Sequence, residues 1–457
     1  MRNLIIFLLA LFMAGCSFRP SLPEVNATFS TAYESSDIND KWWMEFNDSR
    51  LNELIEQALK NNIDLKLAYI NLQNAQLNLK NARTELLPTI GAEAGASRNS
   101  TSGETFSGQK STIYNSFSLN AILNYEIDLW GRVRNSIASS NALLNASKFD
   151  YETARIAIAS SVANSYFSLV ALKMQEIVYE ETLKSYLETM HYRKKQLDAG
   201  MITQIVYTQS RAAVQGAQIS LQNIKNSIIT ASNALAILTN KSNDEILYSI
   251  ISSAKTLAKA PEINANISSD ILLRRPDVAS AYERLQSSNA LIGVSKAAYF
   301  PKLSLTGLFG FSSDELERLF VSNANVWSIG GSLAQTLFDF GRRSNNVALA
   351  ELAQSANTLN YEKTIKTALS EVRISLENRK TATSVLKDTK ALLNSQNEIY
   401  NLANTQYNAG YVDHLVLLDA QRNLLSTRLS EIAAKLALNN ATIEVYKSFG
   451  GGFKLQK

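Results

Sequence analysis

The sequence predicts a mainly α-helical chain, built as a tandem repeat, that carries four membrane-type β-strands. Three observations predict it: long intervals free of helix breakers, two halves that align at a nearly fixed offset, and short segments whose hydropathy alternates residue by residue.

The intervals define the helices. The six prolines are Pro20, Pro23, Pro88, Pro261, Pro276 and Pro301, so none lies between Pro88 and Pro261 and none follows Pro301. Between Gly131 and Gly293 only Gly200 and Gly216 occur, and between Gly341 and Gly450 only Gly410. Inside a helix Pro costs about 3 kcal/mol and Gly about 1 kcal/mol, so these intervals can hold very long helices. Arg132 to Ala199 and Arg342 to Ala409 are 68 residues each, roughly 100 Å of helix at ~1.5 Å per residue. Asn52 to Leu86 and Thr203 to Thr239 read as shorter helices. Leu386, Leu393, Tyr400 and Tyr407 recur every seven residues, with Val385, Leu392 and Ile399 beside them. Leu349, Leu352, Ala356 and Leu359 follow 3-4-3 spacing. Adjacent apolar columns predict helices that each touch two neighbours, as in a bundle or a ring of coiled coils.

The repeat defines the order of elements. Trp130-Gly131-Arg132 corresponds to Phe340-Gly341-Arg342, Ala199-Gly200 to Ala409-Gly410, and Val206 to Val416, all at an offset of 210. Leu87-Pro88 matches Phe300-Pro301 at 213, so a short indel separates the two registers. Each half reads helix, proline, two strands, Gly-Arg, long helix, glycine turn, shorter helix. Gly200 and Gly410 are placed to stop a helix in the left-handed conformation, and Thr203 and Asp413 to cap the next one. Each half thus ends in a helical hairpin with a tight tip. His191 and His414 fall near these tips and read as solvated helix-end histidines. The expected organisation is a signal peptide over 1–15, a lipid-anchored segment over 16–50, a first repeat over 51–240, an equatorial linker over 241–270, a second repeat over 271–448 and a tail over 449–457.

The strands alternate. In Ser116 to Ile127, Phe117, Leu119, Ala121, Leu123, Tyr125 and Ile127 face one way, and Ser116, Ser118, Asn120 and Asn124 the other, interrupted by Ile122. Leu303, Leu305, Phe309 and Phe311 share a face, and Trp327, Ile329 and Leu333 oppose Ser328, Gly330 and Ser332. Segments of about ten residues with this alternation are the signature of a transmembrane β-barrel, although a soluble half-buried sheet alternates too. The smallest membrane barrels have about eight strands, so four strands that span a membrane require several chains. Ser97 to Ser111, rich in Ser, Thr and Gly, reads as an exposed loop.

Composition narrows the function. The chain is 46% apolar and 19% charged with a net charge of +4, and no Lys/Arg run suggests nucleic acid. One cysteine and two histidines leave no material for a disulfide framework, a zinc cluster or a nucleophile–base set, so an enzyme or a metal centre is not expected. Arg2 followed by the apolar run Leu4 to Met13 has the form of a signal peptide. Met13-Ala14-Gly15-Cys16 resembles the lipobox of bacterial lipoproteins, which implies diacylglycerol and acyl modification of Cys16, and Ser17 implies sorting to the outer membrane.

Four separated motifs carry a wider resemblance. They are Trp42-Trp43 with Phe46, Asp48 and Leu51 leading into Leu54, Ala58-Leu59, Asn62 and Asp64-Leu65; Tyr125 to Arg132; Leu272-Leu273-Arg274-Arg275-Pro276-Asp277-Val278; and Ala409-Gly410 with Leu417-Leu418-Asp419-Ala420-Gln421-Arg422. Over essentially the whole mature chain the sequence resembles the TolC-like outer-membrane factors, in their efflux lipoprotein branch. The resemblance implies a homotrimer in which each protomer gives four strands to one twelve-stranded barrel and long helices to a periplasmic α-helical barrel. It implies the exit duct of a tripartite pump that passes small toxic compounds, with a periplasmic adaptor protein, an inner-membrane transporter and outer-membrane lipid as partners. It also implies a periplasmic gate at Asp419 and Leu415, where three Asp419 carboxylates would repel one another and attract cations, or else Asp419 pairs with Arg422. The tips at Gly200 and Thr203 and at Gly410 and Asp413 are expected to dock the adaptor. Arg274, Arg275 and Asp277 are expected to make structural ion pairs at a helix start, and Asp128 and Arg132 to orient the strand-to-helix junction. A type I protein secretion duct and a non-channel coiled-coil envelope scaffold are the competing readings. The strand pairs and the repeat argue against the scaffold, and the lipobox and the Arg-Arg-Pro-Asp motif favour efflux.

Overall fold

The computed structural model describes residues 18–23, 39–102, 104, 111–247, 256–263 and 275–453. The helices are α1 (Ser49–Asn61), α2 (Ile63–Thr84), α3 (Arg132–Asp198), α4 (Gln204–Thr239), α5 (Pro276–Ala297), α6 (Arg342–Asn408) and α7 (His414–Ser448), besides single turns such as Trp42–Phe46 and Asn243–Ile246. The strands are β1 (Thr89–Ser100), β2 (Ile113–Ile127), β3 (Lys302–Ser313) and β4 (Asn325–Ala334). The repeat is reproduced element by element. The 22-residue helices α2 and α5 and the 12-residue strands β1 and β3 begin 213 residues apart, whereas the 67-residue helices α3 and α6 begin 210 apart. The hairpins place the indel: Thr89 faces Asn124 and Lys302 faces Ala334, so the shift from 213 to 210 is absorbed in the turns between the paired strands.

The chain divides into two compact units, each drawing on both repeats; α3 and α6 contribute to both. The first holds 71–148 and 280–362. Its sheet is antiparallel in the order β1-β2-β3-β4, two hairpins laid side by side. Ala121 lies opposite Phe309, which lies opposite Trp327, and Leu123 opposite Gly307, which lies opposite Ile329. One face of the sheet is thus a continuous apolar surface over Ile90, Leu123, Leu305, Phe309, Trp327 and Ile329. The other face carries Asn120, Asn124, Thr306 and Ser332, as the alternation requires. At the junction into α3, Asp128 accepts from the backbone N–H groups of Val133 (3.1 Å) and Arg134 (2.9 Å), and Arg132 pairs with Glu126 (2.8 Å) and Glu85 (3.1 Å). Asp339 does the same work before α6, accepting from the N–H of Gly341 and pairing with Arg343 at 2.7 Å. The expected junction role of Asp128 and Arg132 is therefore visible as a cap and an ion pair.

The second unit holds 27–70, 149–279 and 363–457. Its core packs Trp42, Trp43 and Phe46 against Leu51, Leu54 and Ile55 of α1, Val162, Tyr166 and Phe167 of α3, Leu235 of α4 and Ile443 and Tyr446 of α7. Tyr166 donates to Asp48 at 2.8 Å while Asp48 caps α1, and Tyr446 donates to Glu45. Arg275, buried, forms a bidentate pair with Asp277 (2.7 and 3.0 Å) and reaches Glu371 (2.7 Å) and the Ser448 carbonyl (2.9 Å). Pro276 opens α5, as the Arg-Pro-Asp reading expected; Arg274 lies outside the described residues.

One expected helix is broken. Asn52 to Leu86 was expected to run as a single helix, but α1 ends at Asn61 and α2 starts at Ile63. The buried Asn62 causes the break. Its Oδ1 accepts from the N–H of Leu65 at 3.0 Å, and its Nδ2 donates to the Leu238 carbonyl at 2.9 Å. Its own backbone is extended, with φ −57 and ψ 135. A side chain that caps the next helix offers the backbone an alternative to the helical ladder.

Candidate gate and docking tips

Both hairpin tips are built from one motif. At the first, the N–H of Gly200 bonds the Leu197 carbonyl (2.9 Å) and that of Met201 the Gln196 carbonyl (2.9 Å). At the second, Gly410 bonds Tyr407 (3.0 Å) and Tyr411 bonds Gln406 (2.9 Å). These paired bonds end a helix through a left-handed residue, here Gly200 at φ 71 and Gly410 at φ 77. Thr203 and Asp413 both occupy the N-cap position that follows. Asp413 accepts from the N–H of Val416 at 3.2 Å, whereas the Thr203 side chain makes no cap bond, which corrects the expectation for that residue. Beyond the glycines the tips present apolar side chains at equivalent places: Met201 and Tyr411, then Ile205 and Leu415, all exposed.

Behind the tips lies a buried polar cluster. Arg193 of α3 is 1% exposed and His414 of α7 is 7% exposed. The Arg193 guanidinium donates to Nδ1 of His414 (3.1 Å) and to Gln196 (2.6 Å), and lies 4.6 Å from the centre of the Tyr407 ring. Because arginine stays charged, Nδ1 must accept, which leaves the imidazole proton on Nε2, facing Ser210 Oγ at 3.5 Å. Burial first, and then Arg193, pull the His414 pKa down to about 4; Asp413 opposes them and Arg422 assists. The solvated-histidine expectation is thus overturned for His414, while His191 is exposed as expected. Sequence reasoning also missed Arg193, which sits in the basic run Arg193-Lys194-Lys195. The available signal was its seven-residue spacing from the buried Tyr186.

Asp419 and Leu415 lie one turn apart on α7 and are both exposed. Asp419 is 3.9 Å from Arg422, with 72% of its side chain exposed, so the pair is loose and solvent-screened. Below them the hairpin is closed by Ala403, Leu417 and Ala420 packed with Tyr400 and Tyr407, the last two members of the heptad column expected from sequence. Cys16 lies outside the described residues. Just after it, Phe18 stacks on Phe300 at 4.5 Å and the Pro20 carbonyl accepts from Asn289 at 2.9 Å.

This pattern of paired strands, long helices and tight tips has close counterparts. The outer membrane efflux protein family profile matches residues 54–241 and 267–451. The toluene efflux pump outer membrane protein TtgC of Pseudomonas putida is 30% identical over 97% of this chain and 94% of its own. The cation efflux system protein CusC of Escherichia coli is 28% identical over 99% of both. Among solved structures, the CmeC outer membrane channel of Campylobacter jejuni superposes with a TM-score of 0.89 at 33% identity, covering 97% of this chain and 96% of that one. The chain belongs to the outer membrane efflux protein family. It is an outer-membrane channel protein of efflux, as the motifs implied.

Proposed function

We propose that three copies of this chain close one twelve-stranded barrel in the outer membrane and one helical duct in the periplasm, anchored by acyl and diacylglycerol groups on Cys16. A periplasmic adaptor and an inner-membrane transporter load this duct with small toxic compounds. The observation that carries the reading is the sheet: four strands with a continuous apolar face, on which Trp327 and Ile329 are exposed. Four strands fall short of any barrel that closes in a membrane, so further copies complete it. The second heptad column, Val385, Leu392 and Ile399, is also exposed along α6 and supports helix contacts between copies. Matching exposed apolar residues at the tips, Met201 and Tyr411 with Ile205 and Leu415, support docking of the adaptor there, around Gly200, Thr203, Gly410 and Asp413.

In this assembly Asp419 and Leu415 form the periplasmic gate. Three carboxylates around one axis attract cations and hold the aperture under mutual repulsion, and its opening needs only a small helix movement. The test is single-channel conductance of the purified protein in planar bilayers, wild type against Asp419→Ala. Cation-selective openings that grow or lose selectivity in the variant support the gate. Unchanged conductance moves the gate elsewhere, and a folded, acylated oligomer without channel activity sinks the duct.

A further inference from the structure

Charge is almost absent from the strands. Across β1, β2, β3 and β4 the charged residues are Glu93, Arg98, Glu126 and Lys302. The pleat divides them. Arg98 shares the apolar face with Ile90, Ala94 and Ala96, near the end of β1, whereas Glu93 lies on the polar face, opposite Asn120. Lys302 opens β3, and Glu126 pairs with Arg132 at 2.8 Å at the junction into α3. Among the described residues Glu93 is thus the one charge on the polar face of the strands away from their helix ends. It lies four residues beyond Thr89, about 13 Å along the strand at ~3.3 Å per residue.

The fold leaves this carboxylate uncovered. Its neighbours along β1 on the same face are Gly91 and Gly95. A Cβ at Gly91 would meet nothing within 4 Å. Asn120, directly opposite on β2, leans the other way. Its side chain lies over Gly310 of β3, where a Cβ would stand 2.4 Å from the Asn120 Oδ1. A side chain at position 310 would therefore push Asn120 off β3, and glycine lets it stay. Glu93 itself is exposed, and no hydrogen bond or ion pair holds it among the described residues. Glu126 has a structural task in its pair with Arg132; Glu93 has none.

We propose that Glu93 is a specificity-determining residue of the duct, a carboxylate facing the barrel lumen that favours cations and cationic compounds over anions. The proposal rests on the multi-copy barrel above, in which the face carrying Trp327 and Ile329 meets lipid and the polar face turns inward. A charge within a spanning segment is tolerated where it faces water, and there it shapes which ions pass. Three copies set three such carboxylates around one axis. The glycines beside Glu93 add no bulk, so it acts through its field rather than by narrowing the lumen. Glu93 belongs to the first compact unit and Asp419 to the second, so either charge can be removed without disturbing the packing of the other.

The test is the reversal potential of the purified, acylated protein in planar bilayers under a potassium chloride gradient, at low salt where screening is weak. Glu93→Gln keeps the shape of the side chain and removes its charge. It is expected to cut the cation-to-anion permeability ratio by roughly twofold or more, in wild type and in the Asp419→Ala background alike. Glu93→Asp is expected to retain the ratio and Glu93→Lys to shift it toward anions, and both differences should shrink as salt is raised. A ratio unchanged in Glu93→Gln and in Glu93→Lys, in channels that still conduct, overturns the role of Glu93 and leaves the duct standing. A changed conductance with an unchanged ratio does the same, because it makes the residue structural. A folded trimer that forms no channel overturns the duct and the role of Glu93 together.

Discussion

Arg193, five residues before the end of α3, places its guanidinium 3.1 Å from Nδ1 of His414, the first residue of α7 and 221 positions away in the chain. The contact ties the first hairpin to the second immediately behind both tips. It is compatible only with a neutral imidazole, because a protonated ring would turn its N–H toward a buried cation.

Acidification should therefore loosen the tips. His414 is held down to about 4 from an ordinary value of 6.5. Between those values the unfolded chain binds the proton and the folded one does not, so stability rises with pH. The contribution is complete above the ordinary value and is lost as pH falls toward the folded one. The apparent melting temperature, followed from neutral pH into this window at one scan rate, should fall more steeply for wild type than for His414→Gln. Parallel curves would mean that the ring is solvated.

Removing the partner should act without acid. Arg193→Met keeps a long apolar stem but leaves Gln196 and Nδ1 of His414 without their donor. An unsatisfied buried polar group costs about 1–3 kcal/mol. Hydrogen exchange at the tip amides should accelerate, while exchange in the core around Trp42 and Phe167 stays unchanged.

The two tip glycines should respond alike. A Cβ at Gly200 or at Gly410 meets no atom within 4 Å, so an alanine there is opposed only by its backbone conformation. That penalty is about 1–2 kcal/mol. Gly200→Ala and Gly410→Ala should each speed exchange of the following amide, Met201 or Tyr411, by roughly tenfold. Unequal responses would show that the matching turns differ in their surroundings.

At Asn62 the two ends of one side chain can be separated. Asn62→Asp keeps the acceptor for Leu65 but turns a carboxylate oxygen toward the Leu238 carbonyl, while Asn62→Ala removes both bonds. If the bond to Leu238 matters, Asn62→Asp should lower the apparent melting temperature at least as much as Asn62→Ala, despite aspartate being a good cap. A near-wild-type Asp variant would reduce Asn62 to a cap.

What could be read from sequence followed from local chemistry. Glycine and proline spacing located the 67-residue helices and both tips, since helix breakers act where they stand. Alternation located the strands, and the repeat even extends to the helix ends, where Asn240 and Gly450 take the same left-handed turn 210 residues apart. What could not be read depends on distant partners. The break at Asn62 needs Leu238, and the burial of His414 needs Arg193 and Ser210 from the other hairpin. Thr203 shows the limit even of local reading, because a residue suited to capping can occupy the cap without bonding.

Among the described residues the outer edges of β1 and β4 have no strand partner, and this also constrains the order of biogenesis. Hydrocarbon supplies no donors or acceptors, so a lone protomer inserted in the bilayer would strand a row of backbone N–H and C=O groups at several kcal/mol each. The helical hairpins bond internally and can form in water, but the strands cannot enter lipid until their neighbours are beside them. Insertion thereby becomes a checkpoint that incomplete assemblies fail.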